Sequence, residues 1–138
     1  MHGKVLVVED DESVRRLLVE VLQGRPQIAV ESARDGVEAL HQISTTPYDV
    51  IVLDVMMPMM SGVDFLDSLQ ALTHDPSVKT LQKTPAVIVI TSASDSILPN
   101  DAIERRFPQV VRAILRKPFD FEILRATVES ELMLSPRA

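Results

Sequence analysis

The sequence contains no cysteine. This absence excludes thiolate metal sites and thiol chemistry, and it fits a reducing compartment. The apolar run near the amino terminus, residues 5–8, is too short for the core of a signal peptide or for a membrane span. We therefore expect a soluble, cytoplasmic protein that does not contact the membrane.

Basic residues are also few and scattered. The chain has 20 acidic and 14 basic residues and a formal net charge of -6, and an acidic surface repels nucleic-acid phosphates unless its basic residues cluster. No run of Lys and Arg exceeds two residues. Arg15-Arg16 and Arg105-Arg106 are typical of solvated helix faces, so we expect no nucleic-acid binding by this chain alone.

Short apolar runs, rich in β-branched residues, recur along the 138-residue chain. Such runs, without a period-two alternation, are typical of strands in a parallel sheet that is covered on both faces. The runs occupy residues 5–8, 28–30, 50–53, 87–90 and 113–115. They predict five buried strands.

Helix signals lie between these runs. Asp11, Asp35 and Ser61 stand where N-caps are expected, and Asp35 with Glu38 has the spacing of a capping box. A fourth, less regular helix is predicted within residues 96–107 and a fifth within residues 120–132. The first helix should bury a stripe formed by Val14, Leu17, Leu18, Val21 and Leu22, and the third should bury Phe65, Leu66 and Leu69.

The alternation of strands and helices predicts an α/β fold. The usual five-strand solution is a doubly wound, flavodoxin-like parallel sheet with strand order 2-1-3-4-5 and five helices. We expect residues 1–138 to form a single domain, with a core over about residues 3–132 and a tail over about residues 133–138.

Polar residues follow four of the predicted strands. In a doubly wound sheet, ligands bind at the carboxyl ends of the strands, beside the point where the strand order reverses. Glu9-Asp10-Asp11 follows the first strand, Asp54 the third, Thr91-Ser92 the fourth and Lys117-Pro118 the fifth. These residues should therefore meet at one edge of the sheet.

This set of side chains suits phosphoryl transfer. Converging carboxylates repel one another unless a hard cation lies among them, and Mg²⁺ accepts such ligands. A Lys ammonium and a Thr hydroxyl could satisfy the other phosphoryl oxygens. Asp54, the central carboxylate, is the candidate nucleophile.

The sequence resembles the receiver domain of two-component response regulators over nearly its whole length. The matching segments are residues 5–12 (VLVVEDDE), 48–58 (YDVIVLDVMMP), 87–92 (VIVITS) and 117–119 (KPF). The resemblance implies that Asp54 is the phosphoacceptor. It also implies that Asp10, Asp54 and the backbone carbonyl of Met56 bind Mg²⁺ directly, and that Glu9 helps to hold the ion through a bound water. Thr91 and Lys117 would contact the phosphoryl group, with a bend at Pro118 that is often a cis peptide in the family.

The implied protein is a signalling domain that catalyses only its own phosphorylation and dephosphorylation. Its partners would be a histidine kinase or a histidine phosphotransfer protein, and a downstream target reached through the surface formed by the fourth helix, fifth strand and fifth helix. A phosphorylation-dependent dimer is compatible with this picture. The cognate kinase, the target and the presence of further domains stay open.

Other roles for nearby residues have simpler explanations. Asp11 fits a helix cap better than a metal ligand. His2, His41 and His74 lack metal-ligand spacing. The methionines at positions 56, 57, 59 and 60 suit flexible packing better than a copper site.

Three segments depart from the family pattern. Ile114 occupies the position, three before the lysine, where the family commonly has an aromatic residue. Residues 92–112 lack the usual Gly-Ala turn and are longer than is customary. Residues 73–84 also form a long link, which predicts an extra turn or a mobile loop.

Two other function classes remain to be weighed. A haloacid dehalogenase-like phosphohydrolase would carry a second Asp two residues after the nucleophile, and Met56 stands there. A phosphorylation-independent scaffold of receiver shape would not need the intact set of acids, Thr91 and Lys117. Both alternatives are therefore disfavoured.

Overall fold

The computed structural model describes residues 3–55, 61–92 and 100–134. Within them, strands and helices alternate along the chain. The strands are β1 (Gly3–Val8), β2 (Ile28–Ala33), β3 (Val50–Asp54), β4 (Ala86–Ser92) and β5 (Val111–Lys117). The helices are α1 (Glu12–Leu22), α2 (Gly36–Thr45), α3 (Gly62–Thr73), α4 (Asn100–Arg106) and α5 (Phe121–Leu134), and a 3-10 helix (Lys79–Leu81) precedes β4.

The five strands form one parallel sheet in the order β2-β1-β3-β4-β5. This order confirms the predicted doubly wound arrangement. Strand β3 is buried throughout and β1 is apolar and buried from Val5 to Val8, whereas the edge strand β2 continues past its apolar start through Glu31 and Ser32. Glu31 is accommodated there because it pairs with Lys4 at 3.1 Å and accepts a hydrogen bond from the hydroxyl of Tyr48.

The first three helices begin at side-chain caps, as predicted. Each cap satisfies a backbone N–H that the helix itself cannot pair, and losing such a cap typically costs ~1 kcal/mol. Asp11 accepts from the N–H of Val14 (3.0 Å), Asp35 from that of Glu38 (2.8 Å) and Ser61 from that of Asp64 (3.2 Å). None of the helices in the described ranges is both long and apolar enough to cross a membrane.

The sheet has a hydrophobic layer on each face. One layer receives side chains from α2, α3 and α4, including Ile43, Phe65 and Ile103. The other receives side chains from α1 and α5, including Leu18 and Leu124. Phe65, Leu66 and Leu69 are all buried, so the predicted face of α3 is confirmed.

Gly62 fixes the start of α3 against the end of β3. Its N–H donates to the carbonyl of Val55 at 2.8 Å. A Cβ on Gly62 would lie 2.6 Å from the Cα of Val55, closer than packed carbon atoms approach. Only glycine permits this approach, and it brings the chain after Asp54 close to the first turn of α3.

Three local features differ from, or refine, the sequence expectations. Leu17 is 42% exposed, so the stripe on α1 buries Leu18 and Leu22 but not Leu17. The long link at residues 73–84 contains the 3-10 helix, whose Leu81 is buried, so the extra turn is the correct alternative. Helix α5 continues to Leu134, two residues beyond the predicted helix end.

Strand β5 contains an irregularity beside β4. Val87 pairs with Val111, but Ile88 pairs with Ala113, so Arg112 is an extra residue. A bulge of this kind changes which face the following side chains occupy. Val111 therefore packs on the α3 side of the sheet, and Ala113 packs on the α1 side.

Candidate functional site

The polar residues predicted to converge follow the carboxyl ends of four strands. Glu9 comes directly after β1, and Asp54 is the last residue of β3. Thr91 lies near the end of β4, and Lys117 ends β5. Strands β1 and β3 are neighbours in the sheet. The connection from β1 to β2 and the connection from β3 to β4 run over opposite faces, so the strand order reverses between β1 and β3, where the carboxyl ends of these strands meet.

Three carboxylates meet at this edge. One oxygen each from Glu9, Asp10 and Asp54 lies within 4.8 Å of the others. Glu9 and Asp54 are buried, at 2% and 7% exposure, whereas Asp10 is exposed. Such a set of hard oxygen donors, partly open to solvent, fits a divalent cation such as Mg²⁺ that keeps some of its waters.

Burial and neighbouring acids disturb the ionisation of Glu9. The pKa of its carboxyl is raised to about 8, first by burial and then by hydrogen bonds with Asp54 and Asp10. A carboxyl in this setting retains its proton near neutral pH unless a positive charge arrives. A cation bound by the cluster would stabilise the ionised form of Glu9 and would displace this proton.

Lys117 supplies a positive charge to the same cluster. Its Nζ lies 3.7 Å from Oδ2 of Asp54 and 4.0 Å from Oε1 of Glu9. The side chain is 38% exposed, so it borders the site without being enclosed. The peptide bond between Lys117 and Pro118 is cis, the geometry that the family resemblance implies.

Thr91 lies one residue beyond the partner of Asp54 on the neighbouring strand. Asp54 pairs with Ile90 in the register of β3 and β4, and the N–H of Val55 donates to the carbonyl of Ile90 at 3.1 Å. Thr91 is 3% exposed. The register thus places the hydroxyl residue beside the end of the strand that carries the central carboxylate.

The side chain of Asp11 lies outside the cluster of Glu9, Asp10 and Asp54, although its backbone N–H donates to Oε2 of Glu9 at 3.3 Å. Its side chain accepts from the N–H of Val14 at the start of α1, which confirms its prediction as a cap. Met56 lies outside the described residues, as does Ala93, two positions after Thr91. The carbonyl ligand assigned to Met56 therefore stays a prediction. Ile114 is half-buried and packs against the layer on the α3 side of the sheet.

Arg15 has a contact that its sequence context does not predict. Arg15 and Arg16 look alike in the sequence, yet the guanidinium of Arg15 donates to the carbonyl of Glu9 at 3.1 Å. Arg16 instead pairs loosely with Glu12 at the exposed surface. The only sign of this contact in the sequence is position, because Arg15 lies near the start of the helix that follows Glu9 and Asp10.

The chain matches the family model described as the response regulator receiver domain over residues 5–129. It is 34% identical, over 142 aligned residues, to the response regulator MprA of Mycobacterium tuberculosis, covering 99% of this chain and 61% of that protein. It is 28% identical to protein-glutamate methylesterase/protein-glutamine glutaminase 3 of Vibrio cholerae, covering 96% and 39%. The chain thus spans about two to three fifths of the length of these relatives.

A solved structure leads to the same family. The receiver domain of the Francisella response regulator 1452 superimposes with a TM-score of 0.76 and is 28% identical, covering 97% of this chain and 99% of that one. Fold, family model and sequence relatives agree, and the match extends over most of the chain rather than over one motif. The chain therefore belongs to the response regulator receiver domains of two-component systems.

Proposed function

We propose that this domain is a phosphorylation-dependent switch in which Asp54 accepts the phosphoryl group. The observation that supports this proposal most directly is the convergence of Glu9, Asp10 and Asp54 with the ammonium of Lys117 at the reversal point of the sheet. A titratable group whose pKa is strongly perturbed by burial and by charged neighbours, in a partly open site, is a candidate functional group. Phosphoryl transfer needs such a site, because catalysis there depends on positioning and charge.

Asp54 is the nucleophile in this proposal. Its position at the end of a central strand fixes the carboxylate, and limited exposure leaves room for a donor. A carboxylate oxygen forms a bond to phosphorus while the bond from phosphorus to the donor histidine nitrogen breaks. The electron pair of that bond stays on the imidazole, and the aspartyl-phosphate remains on this domain.

The surrounding residues stabilise charge on the phosphoryl oxygens. Asp10, Asp54 and the predicted carbonyl of Met56 would hold Mg²⁺, with Glu9 acting through a bound water, and the ion would supply positive charge to the phosphoryl oxygens. The ammonium of Lys117, already beside Asp54, would pair with a phosphoryl oxygen. The hydroxyl of Thr91 would donate a hydrogen bond to another of these oxygens.

The family membership supports a proposal for the partners. We propose that a histidine kinase or a histidine phosphotransfer protein supplies the phosphoryl group, in the cytoplasm. The response would reach a downstream target through α4, β5 and α5, where Ile114 replaces the usual aromatic side chain. A dimer formed on phosphorylation fits this surface, whereas the scattered basic residues give no reason to propose nucleic-acid binding by this chain alone.

Residue identity at position 56 opposes the hydrolase alternative. A haloacid dehalogenase-like enzyme needs a second acid there to protonate the leaving group, and Met56 cannot donate a proton. We therefore propose that the domain does not turn over phosphate esters and catalyses only its own phosphorylation and dephosphorylation.

The test is phosphorylation by acetyl phosphate with Mg²⁺, followed by intact-protein mass spectrometry. Asp54→Asn should take up no phosphoryl group, and Asp10→Asn should lose most uptake at any Mg²⁺ concentration. Asp11→Asn is the matched control, because asparagine also caps a helix and Asp11 lies outside the cluster; it should behave as wild type. Labelling of Asp54→Asn at the wild-type level would overturn the assignment of the phosphoacceptor.

A further inference from the structure

Arg15 returns to the turn that carries the acidic pair. Its Nη1 donates to the carbonyl of Glu9 at 3.1 Å and lies 3.5 Å from the carbonyl oxygen of Asp10. Its backbone N–H donates to the carbonyl of Asp11 at 2.8 Å. One residue of α1 thus contacts the backbone of three successive residues in the turn.

Asp10 depends on this turn more than the other two acids do. Asp54 belongs to β3, and Glu9 is buried, with its N–H donating to the carbonyl of Ala33 at 3.1 Å. Asp10 is exposed and lies between the end of β1 and the cap of α1. Its carboxylate is therefore positioned by the backbone of the turn rather than by a strand or by packing.

We propose that Arg15 is a positioning residue for the metal site. This inference rests on the proposed function, since it concerns the affinity of the acidic cluster for Mg²⁺. Hydrogen bonds from a charged donor are stronger than neutral ones, so the guanidinium holds the carbonyls of Glu9 and Asp10 in one arrangement. Residues that orient metal ligands in this way contribute to metal affinity without touching the ion.

The charge of Arg15 and its hydrogen bonds have opposite effects on the affinity of the site for Mg²⁺. A guanidinium near the cluster repels a cation, so removing charge alone would tighten Mg²⁺ binding. Removing the hydrogen bonds loosens the turn and would weaken binding. Lys at position 15 keeps the charge, but its side chain is one bond shorter, so Arg15→Lys separates the two effects.

Arg16 provides a matched control on the same helix. It has the same charge, its side chain is 79% exposed, and its guanidinium lies 3.5 Å from Oε1 of Glu12. Arg16→Ala therefore removes one positive charge from the same helix without removing a hydrogen bond to the carbonyl of Glu9 or Asp10.

The experiment compares Arg15→Ala, Arg15→Lys and Arg16→Ala by titrating Mg²⁺ into ¹⁵N-labelled protein and following amide shifts. Both Arg15 variants should bind Mg²⁺ about tenfold more weakly, and Arg16→Ala should bind as wild type. Without Mg²⁺, the amides of Asp10 and Asp11 should shift in the Arg15 variants only. Saturating Mg²⁺ should restore the rate of phosphorylation by acetyl phosphate.

Equal or tighter Mg²⁺ binding by both Arg15 variants, relative to Arg16→Ala, would overturn the inference and leave the proposed function intact. Failure of wild type itself to bind Mg²⁺ would overturn the metal site and this inference with it. Urea unfolding of each variant establishes that folded protein is compared. If Arg15→Ala does not fold, Arg15→Lys and Arg15→Gln decide the result.

Discussion

The ammonium of Lys117 lies 3.7 Å from a carboxylate oxygen of Asp54, although 63 positions separate the two residues in the sequence. The contact joins the end of β5 to the end of β3, across β4. Any group added to Asp54 must share space with this ammonium or move it. In the proposed switch, Lys117 would therefore respond to a change at Asp54 and transmit it to the edge strand β5.

Replacing Lys117 by alanine should separate phosphorylation from its structural consequence. We expect Lys117→Ala to bind Mg²⁺ at least as tightly as wild type, because a neighbouring positive charge is removed. The amide shifts that phosphorylation causes in α4, β5 and α5 should be strongly reduced. Comparison of ¹⁵N-labelled protein before and after addition of acetyl phosphate measures both effects.

Lys83→Ala is the control for this experiment. Lys83 pairs with the buried Asp49 at 3.6 Å, at the opposite end of the sheet, so its loss should not alter the response to phosphorylation. Wild-type shift changes in phosphorylated Lys117→Ala would contradict the proposed role of the lysine.

The raised pKa of Glu9 makes the stability of the metal-free protein depend on pH. In the folded state the pKa is about 8, compared with 4.5 for the unperturbed group. Between these values the folded state holds a proton that the unfolded state has lost, so stability falls as pH rises through this window. The maximum slope is about 1.4 kcal/mol per pH unit.

Urea unfolding followed by far-UV circular dichroism, at pH 5.5 to 8.5 without Mg²⁺, measures this slope. Glu9→Gln should remove it, because glutamine does not titrate. In wild type near pH 7, Mg²⁺ binding should release protons, since the ion binds the ionised carboxylate. A slope unchanged in Glu9→Gln would show that another group is responsible.

Gly62→Ala should destabilise the fold by about 1 to 3 kcal/mol, the range for overpacking. The added Cβ would lie 2.6 Å from backbone atoms of Val55, which cannot turn aside as a side chain can. Because Val55 follows Asp54, the variant should also be phosphorylated more slowly. Urea unfolding and the acetyl phosphate assay measure the two losses.

Gly24→Ala is the matched control. A Cβ on Gly24 would lie 3.6 Å from the carbonyl oxygen of Val21, which is an ordinary contact. This substitution should be neutral or slightly stabilising, because alanine restricts the unfolded chain. If both glycine variants have the same free energy of unfolding, the close approach of Gly62 to Val55 does not contribute to stability.

The family resemblance also predicts a long-lived aspartyl-phosphate. Two receiver positions flank the path of the hydrolytic water, and here they are occupied by Met56 and Ala93, whose side chains cannot orient water. The absence of such a contact raises the barrier by ~1 to 3 kcal/mol, or about ten- to a hundredfold in rate. Decay after donor removal should be faster in Met56→Asn and Ala93→Glu. Wild-type decay as fast as that of both variants would contradict this prediction.

The strands and the polar residues at their ends could be predicted because each depends on local sequence. Buried strands such as residues 50–53 can be recognised by an unbroken run of apolar residues. Caps such as Asp11 can be recognised because they pair with backbone groups only a few residues away. Once the strand order is chosen, the convergence of Glu9, Asp54 and Lys117 follows from topology.

Features that depend on tertiary neighbours could not be predicted. Leu17 has the correct helical spacing, but no element covers it fully, so it remains partly exposed. The contact from Arg15 to the carbonyl of Glu9 depends on how α1 leaves the turn. The exposure of Asp10 and the raised pKa of Glu9 likewise result from distances that no residue pattern specifies.

The bulge at Arg112 makes the active end of β5 insensitive to the length of the chain before it. The extra residue is absorbed between Val111 and Ala113, so the pairing of Lys117 with Ser92 is set anew after the bulge. Insertions or deletions that accumulate between β4 and β5 can then be accommodated upstream without rotating the lysine away from Asp54.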